Sequence, residues 1–303
     1  MRSLLRFLAP LAAVALLAAV VLAAAAPGPG SGADPFLAGQ PSSRVLPLEA
    51  AARGRAVARL QALAPRLGLA PAARHTVQRL DDRFEHAVYD EVTALNGQDR
   101  PIAVARFETD GRLRMAVRLG WQLGETRGSG LAANALVRRA WTVAGDADLA
   151  VAGVPTVVRQ QSAGWLVSWP RTVAGVPVRG DGVKVTLWPD GTFHALARSE
   201  RPLAGAPDRP IDAAAARRLA EERLDAWFPG PERAGLRVSE VSLAWTAPND
   251  TFDATLPDAP EPALRLAWIA AVAATGAAAE RVEALEIALD AGDGRLLGGD
   301  VAR

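Results

Sequence analysis

The feature that most restricts this chain is a repeated ending. Three stretches, VARFETDGRLRMAVRLG, VKVTLWPDGTFHALARS and EIALDAGDGRLLGGD, each set an Asp-Gly pair between runs in which apolar and polar residues alternate. The pairs are Asp110-Gly111, Asp190-Gly191 and Asp293-Gly294. Alternation with a period of two is what a half-buried strand needs. Asp-Gly closes a tight turn, because Gly accepts positive φ and Asp tolerates it. Each stretch therefore predicts a β-hairpin. Three hairpins, each at the end of a comparable block, predict a repeated fold.

The blocks also begin alike, with apolar residues near helical spacing. Pro47 to Leu69 carries Ala51, Ala56, Leu60, Leu63 and Leu67. Ser129 to Ala147 carries Leu131, Ala135, Val137, Ala140 and Trp141, with Ser129 placed to cap. Ile211 to Phe228 carries Ile211, Ala215, Leu219, Leu224 and Phe228, with Asp212 placed to cap. Helix starts near positions 47, 129 and 211 give a period of roughly 82 residues.

Between helix and hairpin lie strand-like segments. In the second block they are Val154–Gln160, Gly164–Trp169, Val176–Trp188 and Thr192–Arg198; in the third, Arg237–Trp245, Ala263–Ala274 and Arg281–Asp290. Leu264, Leu266, Trp268, Ala270 and Val272 alternate as a half-buried strand should. Thr246–Pro262, rich in Pro and Asp, predicts a surface insertion. In the first block, HTVQRLDDRFEHAVYDEVTAL places Val77, Leu80, Phe84, Val88, Val92 and Leu95 at helical spacing. The repeat instead requires two strands, His75–Arg83 and Ala87–Leu95, followed by a turn at Asn96-Gly97, and we adopt the strands. The fold class expected is α+β: tandem modules at 44–122, 123–205 and 206–303, each one helix on a small antiparallel sheet. The other face of each sheet is left to water or a partner.

Ahead of these blocks, Arg2 and Arg6 precede an uninterrupted apolar run, Phe7–Ala26, with small residues at Ala23 to Ala26. Such a run is either a signal-peptide core or a membrane-spanning helix, so 1–26 is a leader or an anchor. Basic residues on its inner side place the remainder outside the cytoplasm, secreted or held at the membrane by residues 7–26. Residues 27–43, PGPGSGADPFLAGQPSS, read as a flexible tether. A net charge of +1 argues against nucleic-acid binding. The absence of cysteine excludes disulfides, thiolate metal sites and a catalytic Cys.

The helix of the second block followed by GVPVRGDGVKVTLWPDGTFHALA resembles the fungalysin/thermolysin propeptide module that precedes secreted zinc metalloproteases. RPIDAAAARRLAEERL with LRLAWIAAV and EIALDAGDGRLLGG is similar to the PepSY module that commonly follows it. The resemblance covers about residues 129 to 301, and the first block looks like a divergent relative. It implies binding rather than catalysis: such modules assist folding of a protease domain and inhibit it, and related PepSY modules restrain or sense envelope proteases. The protease itself is missing. A zinc protease needs His-Glu-x-x-His, and His75, His86 and His194 do not supply it.

The remaining chemistry reads as structure. His86 and Asp90, with Glu85 and Glu91, could form an acid/base or metal pair, but a charged, solvent-facing edge is the plainer reading. His194 reads as an exposed strand residue, and His75 carries no signal. Ser162 lacks a nucleophile elbow; Gly124, Gly128 and Gly130 lack a phosphate-loop pattern; Asp250, Asp253 and Asp258 match no calcium loop. No catalytic, metal or cofactor residue is assigned, and no enzyme activity is expected. Eight Trp against one Tyr point instead to cores and to a partner-binding face. The residues assigned to that face are Trp165, Trp169, Val176, Val178, Val183, Val185 and Trp188. The function expected is an exported inhibitor or folding aid of a secreted or envelope protease, a metalloprotease being the first candidate. The alternative is a membrane-anchored sensory ectodomain.

Overall fold

The computed structural model describes residues 43–82, 87–119, 130–160, 164–228, 230–249, 251–252, 263–280, 282 and 284–302. The apolar run at 7–26 and the tether up to 42 lie outside these. Among the described residues, no helix is long and apolar enough to cross a membrane.

The Asp-Gly turns close hairpins by a common geometry. Between β4 (Pro101–Glu108) and β5 (Leu113–Arg118), the Gly111 amide donates to the Glu108 carbonyl at 2.8 Å, and the Glu108 amide to the Arg112 carbonyl at 2.9 Å. Between β8 (Val176–Leu187) and β9 (Phe193–Ser199), Gly191 donates to Trp188 at 2.8 Å and Trp188 to Thr192 at 2.9 Å. Both loops are thus three residues long and end in a left-handed glycine, with φ of 95° at Gly111 and 81° at Gly191. The Asp110 and Asp190 carboxylates accept the amide two residues on, at 2.9 and 2.8 Å. Between β12 (Ala284–Asp290) and β13 (Leu296–Ala302) the loop is one residue longer, since Gly294 donates to Asp290 and Asp290 to Arg295. A register shift accompanies every turn, at Arg106/Phe107, Thr186/Leu187 and Ala288/Leu289. This is the bulge that a left-handed residue brings.

The chain is mixed α and β, with a large sheet, and forms two compact units. One unit holds Asp181–Glu200 and the described residues up to Arg171; the other holds Thr172–Gly180 and the described residues from Arg201 onward. In the first, β1 (Arg44–Leu46), β2 (Arg74–Asp82), β3 (Ala87–Leu95), β4, β5, β9 and β8 follow one another across an antiparallel sheet. β7 (Gly164–Val173) pairs with β8, and β6 (Thr156–Gln160) pairs with β7. The ambiguous first-block segment is therefore two strands, in register from Arg74↔Leu95 to Asp82↔Ala87. Helices α1 (Ala50–Leu63) and α2 (Ala133–Asp146) bury Leu60 and Leu136 in one core with Val92, Ala105, Val185, Leu187 and Leu196.

In the other unit, β10 (Leu236–Thr246), β11 (Arg265–Ala274), β12 and β13 form an antiparallel array. α3 (Ala213–Trp227) packs on β10, β11 and β12, and a short α4 (Pro231–Ala234) follows it. Residues 172–180 bring Val178 alongside Trp245 in parallel pairing. Val173 and Val176 join Val178, Trp245 and Leu264 in a small apolar cluster.

Three expectations need correction. The helices bury Ala52, Ala56, Leu60 and Leu63 on α1, Leu136, Ala140, Val143 and Ala144 on α2, and Ala216, Ala220 and Leu224 on α3. The stripes therefore lie partly rotated from those predicted, and Leu131 and Trp141 are each 38% exposed. The cap position of α2 is Ala132, whose side chain makes no cap; the predicted cap, Ser129, lies outside the described residues. Asp212 does cap α3, accepting the Ala215 amide at 2.7 Å. Finally, the sheets are not one-faced. On β11, Ala270 and Val272 join the helix-side core, while Ala267 and Ile269 pack with Ala244, Ala288 and Leu297 on the opposite face.

Candidate interaction surface

The residues assigned to a partner-binding face fill the cores. Trp169, Val178, Val183, Val185 and Trp188 are buried. Trp165 and Val176 are partly buried against apolar clusters. β8 is paired rather than open: β9 pairs with Gly182–Leu187, β7 pairs with it as well, and Trp245 pairs with Val178. The physical reason is size. A tryptophan has enough apolar area to dominate whatever core it can reach, and these strand positions reach one. Trp169 is further covered by Trp141 of α2, edge-on at a centroid distance of 5.2 Å.

Asp90 and Glu91 do not form a solvated edge. They are 3% and 4% exposed. Asp90 takes a two-pronged contact from Arg79, at 2.7 and 3.0 Å. Glu91 accepts from Arg106 at 2.8 Å and from Gln78 at 2.9 Å. Alternation along β3 puts Asp90 on the α1 side with Val92, and Tyr89 and Glu91 on the opposite face. There the Tyr89 hydroxyl donates to Asp82 at 2.6 Å, and the Arg106 guanidinium lies 4.6 Å from the Tyr89 ring centre. Buried and held by hydrogen bonds and ion pairs to neighbouring strands, these side chains read as structure. His86 and Glu85, their neighbours in sequence, lie outside the described residues.

His194 is also relocated. It is partly buried on β9, with its ring 4.9 Å from that of Trp188. Burial, and secondarily the Arg118 charge, lower its pKa from 6.5 to about 4. It is therefore neutral at ordinary pH. His75 is partly buried at the start of β2. Ser162, Gly124, Gly128, Asp250, Asp253 and Asp258 fall outside the described residues, and Gly130 is exposed. Among the described residues, no three His, Cys, Asp or Glu side chains come together as a metal site.

At the turns, charge is organised around Glu108. It pairs with Arg112 at 2.8 Å and with Arg198, whose side chain also donates to the Leu113 carbonyl. Asp110 is held below its ordinary pKa by the Arg112 amide first and the Arg112 guanidinium second. A shallow cavity of about 480 Å³ opens at the start of α1, lined by Pro47, Leu48, Glu49, Ala52, Arg55 and Arg79. Its cations face an acid, and Arg79 is committed to Asp90. It has the makings of a surface groove and not of a reaction site. Among the described residues, the large apolar side chains left at the surface are Val45, Leu131, Trp141 and Val154.

No signal in the sequence marked the buried charged residues as structural, because their partners come from neighbouring strands. A spacing rule along one strand cannot find Glu91 with Arg106. The turns are different. A Cβ on Gly111 would run into Arg59 of α1, one on Gly191 into Leu131 while touching Arg139 of α2, and one on Gly294 into Leu219 of α3. Each Asp-Gly turn lies against the helix of its own block.

No family model matches the chain, and no curated protein matches it. Among solved structures, it is similar to the Bacillus megaterium YpeB C-terminal domain, at 13% sequence identity and a TM-score of 0.43. The alignment covers 86% of this chain and 99% of that one.

Proposed function

We propose that this chain is a non-catalytic exported binding protein, a restraint or folding aid for a secreted or envelope protease, with a metalloprotease as the first candidate. One observation carries the reading. In each of the three blocks an Asp-Gly turn lies against that block's own helix, and two of these blocks resemble propeptide and PepSY modules in sequence. On this reading 44–122, 123–205 and 206–303 are three copies of one module, each offering a rigid surface and no reacting group. A propeptide acts by occupying its protease, and a module parted from the protease can do the same in trans.

The test is a titration. A secreted thermolysin-like metalloprotease from the same organism is assayed against a peptide substrate with increasing amounts of the purified chain, and the chain is followed by mass spectrometry. Saturable loss of activity with the chain intact is the expected outcome. Full activity with the chain intact would exclude this protease as the partner, and rapid digestion of the chain would end the inhibitor reading.

A second reading follows from Phe7–Ala26. If that run stays attached, the modules form an ectodomain that reports on envelope proteases to a partner within or beyond the membrane. The mature N-terminus, read by mass spectrometry, separates the two. A terminus near Ala25 favours the secreted binder, and an intact Met1 or Arg2 favours the anchored sensor.

A further inference from the structure

In the unit that contains β10 to β13, β13 is the last strand of the array. An end strand presents unpaired amides and carbonyls along its outer side, where another chain can add. Among the described residues, Asn249 meets that outer side. The Asn249 backbone amide donates to the Leu297 carbonyl at 2.8 Å. The Asn249 side-chain amide donates to the Gly299 carbonyl at 3.0 Å, and its oxygen accepts the Gly299 amide at 3.0 Å. Asn249 thus stands where the next strand would, using its side chain to complete a pairing that a strand makes with backbone.

Three residues on, Phe252 secures the arrangement. Its ring stacks on Trp227 at the end of α3, with centroids 4.6 Å apart and planes 21° from parallel. Gly298 and Gly299 make room for this. A side chain at Gly298 would strike Asn249, and one at Gly299 would strike Phe252 as well as the neighbouring strand. Gly298 adopts a φ of 122°, a conformation that side-chain-bearing residues avoid. The Gly-Gly pair gives up strand propensity at an edge, and what it provides is a notch that fits an amide side chain and an aromatic ring.

We propose that the outer side of β13 at Leu297–Gly299, with Trp227, is a strand-addition site for an extended peptide bearing a side-chain amide and, three residues later, an aromatic ring. In the resting chain its own Asn249 and Phe252 fill the site. Main-chain pairing gives such a site its affinity and the notch gives it selectivity. The internal ligand sets the threshold, because a competing peptide binds only the fraction of molecules whose strap is open. This rests on the binding-protein reading for the origin of the peptide in an exported partner, and on geometry alone for the site.

The experiment uses the full chain and two blocked synthetic peptides, Ala-Pro-Asn-Asp-Thr-Phe (the sequence of residues 247–252) and the same peptide with Ala for both Asn and Phe. Each is titrated calorimetrically into the unaltered chain and into Asn249→Ala/Phe252→Ala. The parent peptide is expected to bind the double variant at one to one, at least tenfold more tightly than the unaltered chain. The control peptide is expected not to bind. Failure of the parent peptide to bind a variant that still melts cooperatively would overturn the proposal. So would dimerisation of the variant by light scattering without peptide uptake, which would assign the edge to a second copy. Should the variant not fold, hydrogen exchange on the unaltered chain decides. The Gly299 amide should exchange at least tenfold faster than that of Ile287 within β12, and equal protection would mean the strap does not open on its own. None of these readings involves a protease, so failure of the inhibitor assay and failure of this site are separable.

Discussion

At the scale of single residues, buried charge dominates the first unit, and its cost is asymmetric. Glu91 and Arg106 have side chains only 5% and 10% exposed. Removing one partner strands the other in a poorly solvating site. Glu91→Ala should therefore lower unfolding free energy by about 3 kcal/mol, whereas Glu91→Leu with Arg106→Met should lower it by clearly less. Urea melts of the two variants check this; equal losses would show that stranding Arg106 is not what the single replacement costs. His194 makes the opposite kind of demand, since its folded-state pKa lies below its unfolded value. Between pH 6.5 and about 4 the unfolded chain binds a proton that the folded chain does not, so stability falls as pH drops through that window. The loss is at most about 3.5 kcal/mol, from roughly 1.4 kcal/mol per pKa unit. His194→Asn should flatten that part of the profile, measured as urea midpoints at pH 7.5 and 4.5.

At the scale of elements, ends and turns are where local chemistry speaks. α3 has an Asp212 cap and α2 has none, although Ala132 already holds the extended conformation of a cap residue, φ −63° and ψ 150°. Ala132→Asp should therefore stabilise by about 0.5–1 kcal/mol, and Asp212→Ala should cost about 1 kcal/mol. Thermal melts suffice for both. Gly191→Ala combines positive φ with a collision against Leu131 and should cost about 1–3 kcal/mol. Gly175→Ala shares the positive φ but meets open space and should cost less. The contrast between turns and helix faces also explains what could be read from the chain beforehand. Asp-Gly turns were legible because the left-handed glycine and the Asp carboxylate act within five residues. The helix faces were partly misread because alanine neighbours alanine: Ala51 and Ala52, or Ala215 and Ala216, offer no contrast in apolar character. The segment from His75 to Leu95 has helical spacing yet forms strands, since nine paired residues across β2 and β3 outweigh a local pattern. The cover on both sheet faces, and with it the burial of Trp169 and Val185, depends on strands distant in sequence. A single segment could not disclose it.

At the scale of the whole molecule, the chain order does not respect the blocks. Thr172–Gly180 lies within the second block but belongs to the unit built mainly from the third. Val178 covers Trp245 there, and Arg179 pairs with Glu286 and offers its carbonyl to Arg201 at 2.7 Å. A fragment cut at the sequence boundary, 206–303, lacks these residues as well as Arg201 and Leu203. It should expose Trp245 and Leu264, shift tryptophan emission to the red and bind a hydrophobic dye. Adding a peptide of residues 172–180 should reverse part of that change, and a fragment with native-like emission from the start would refute the expectation. The same order imposes a wait during synthesis. Val178 leaves the ribosome about 86 residues before Leu264, an interval on the order of 4 to 17 s at ordinary elongation rates. For those seconds a valine-rich stretch is made but has nowhere to go. Whatever accompanies the nascent chain meets it in that interval, with Val173, Val176 and Val178 still uncovered.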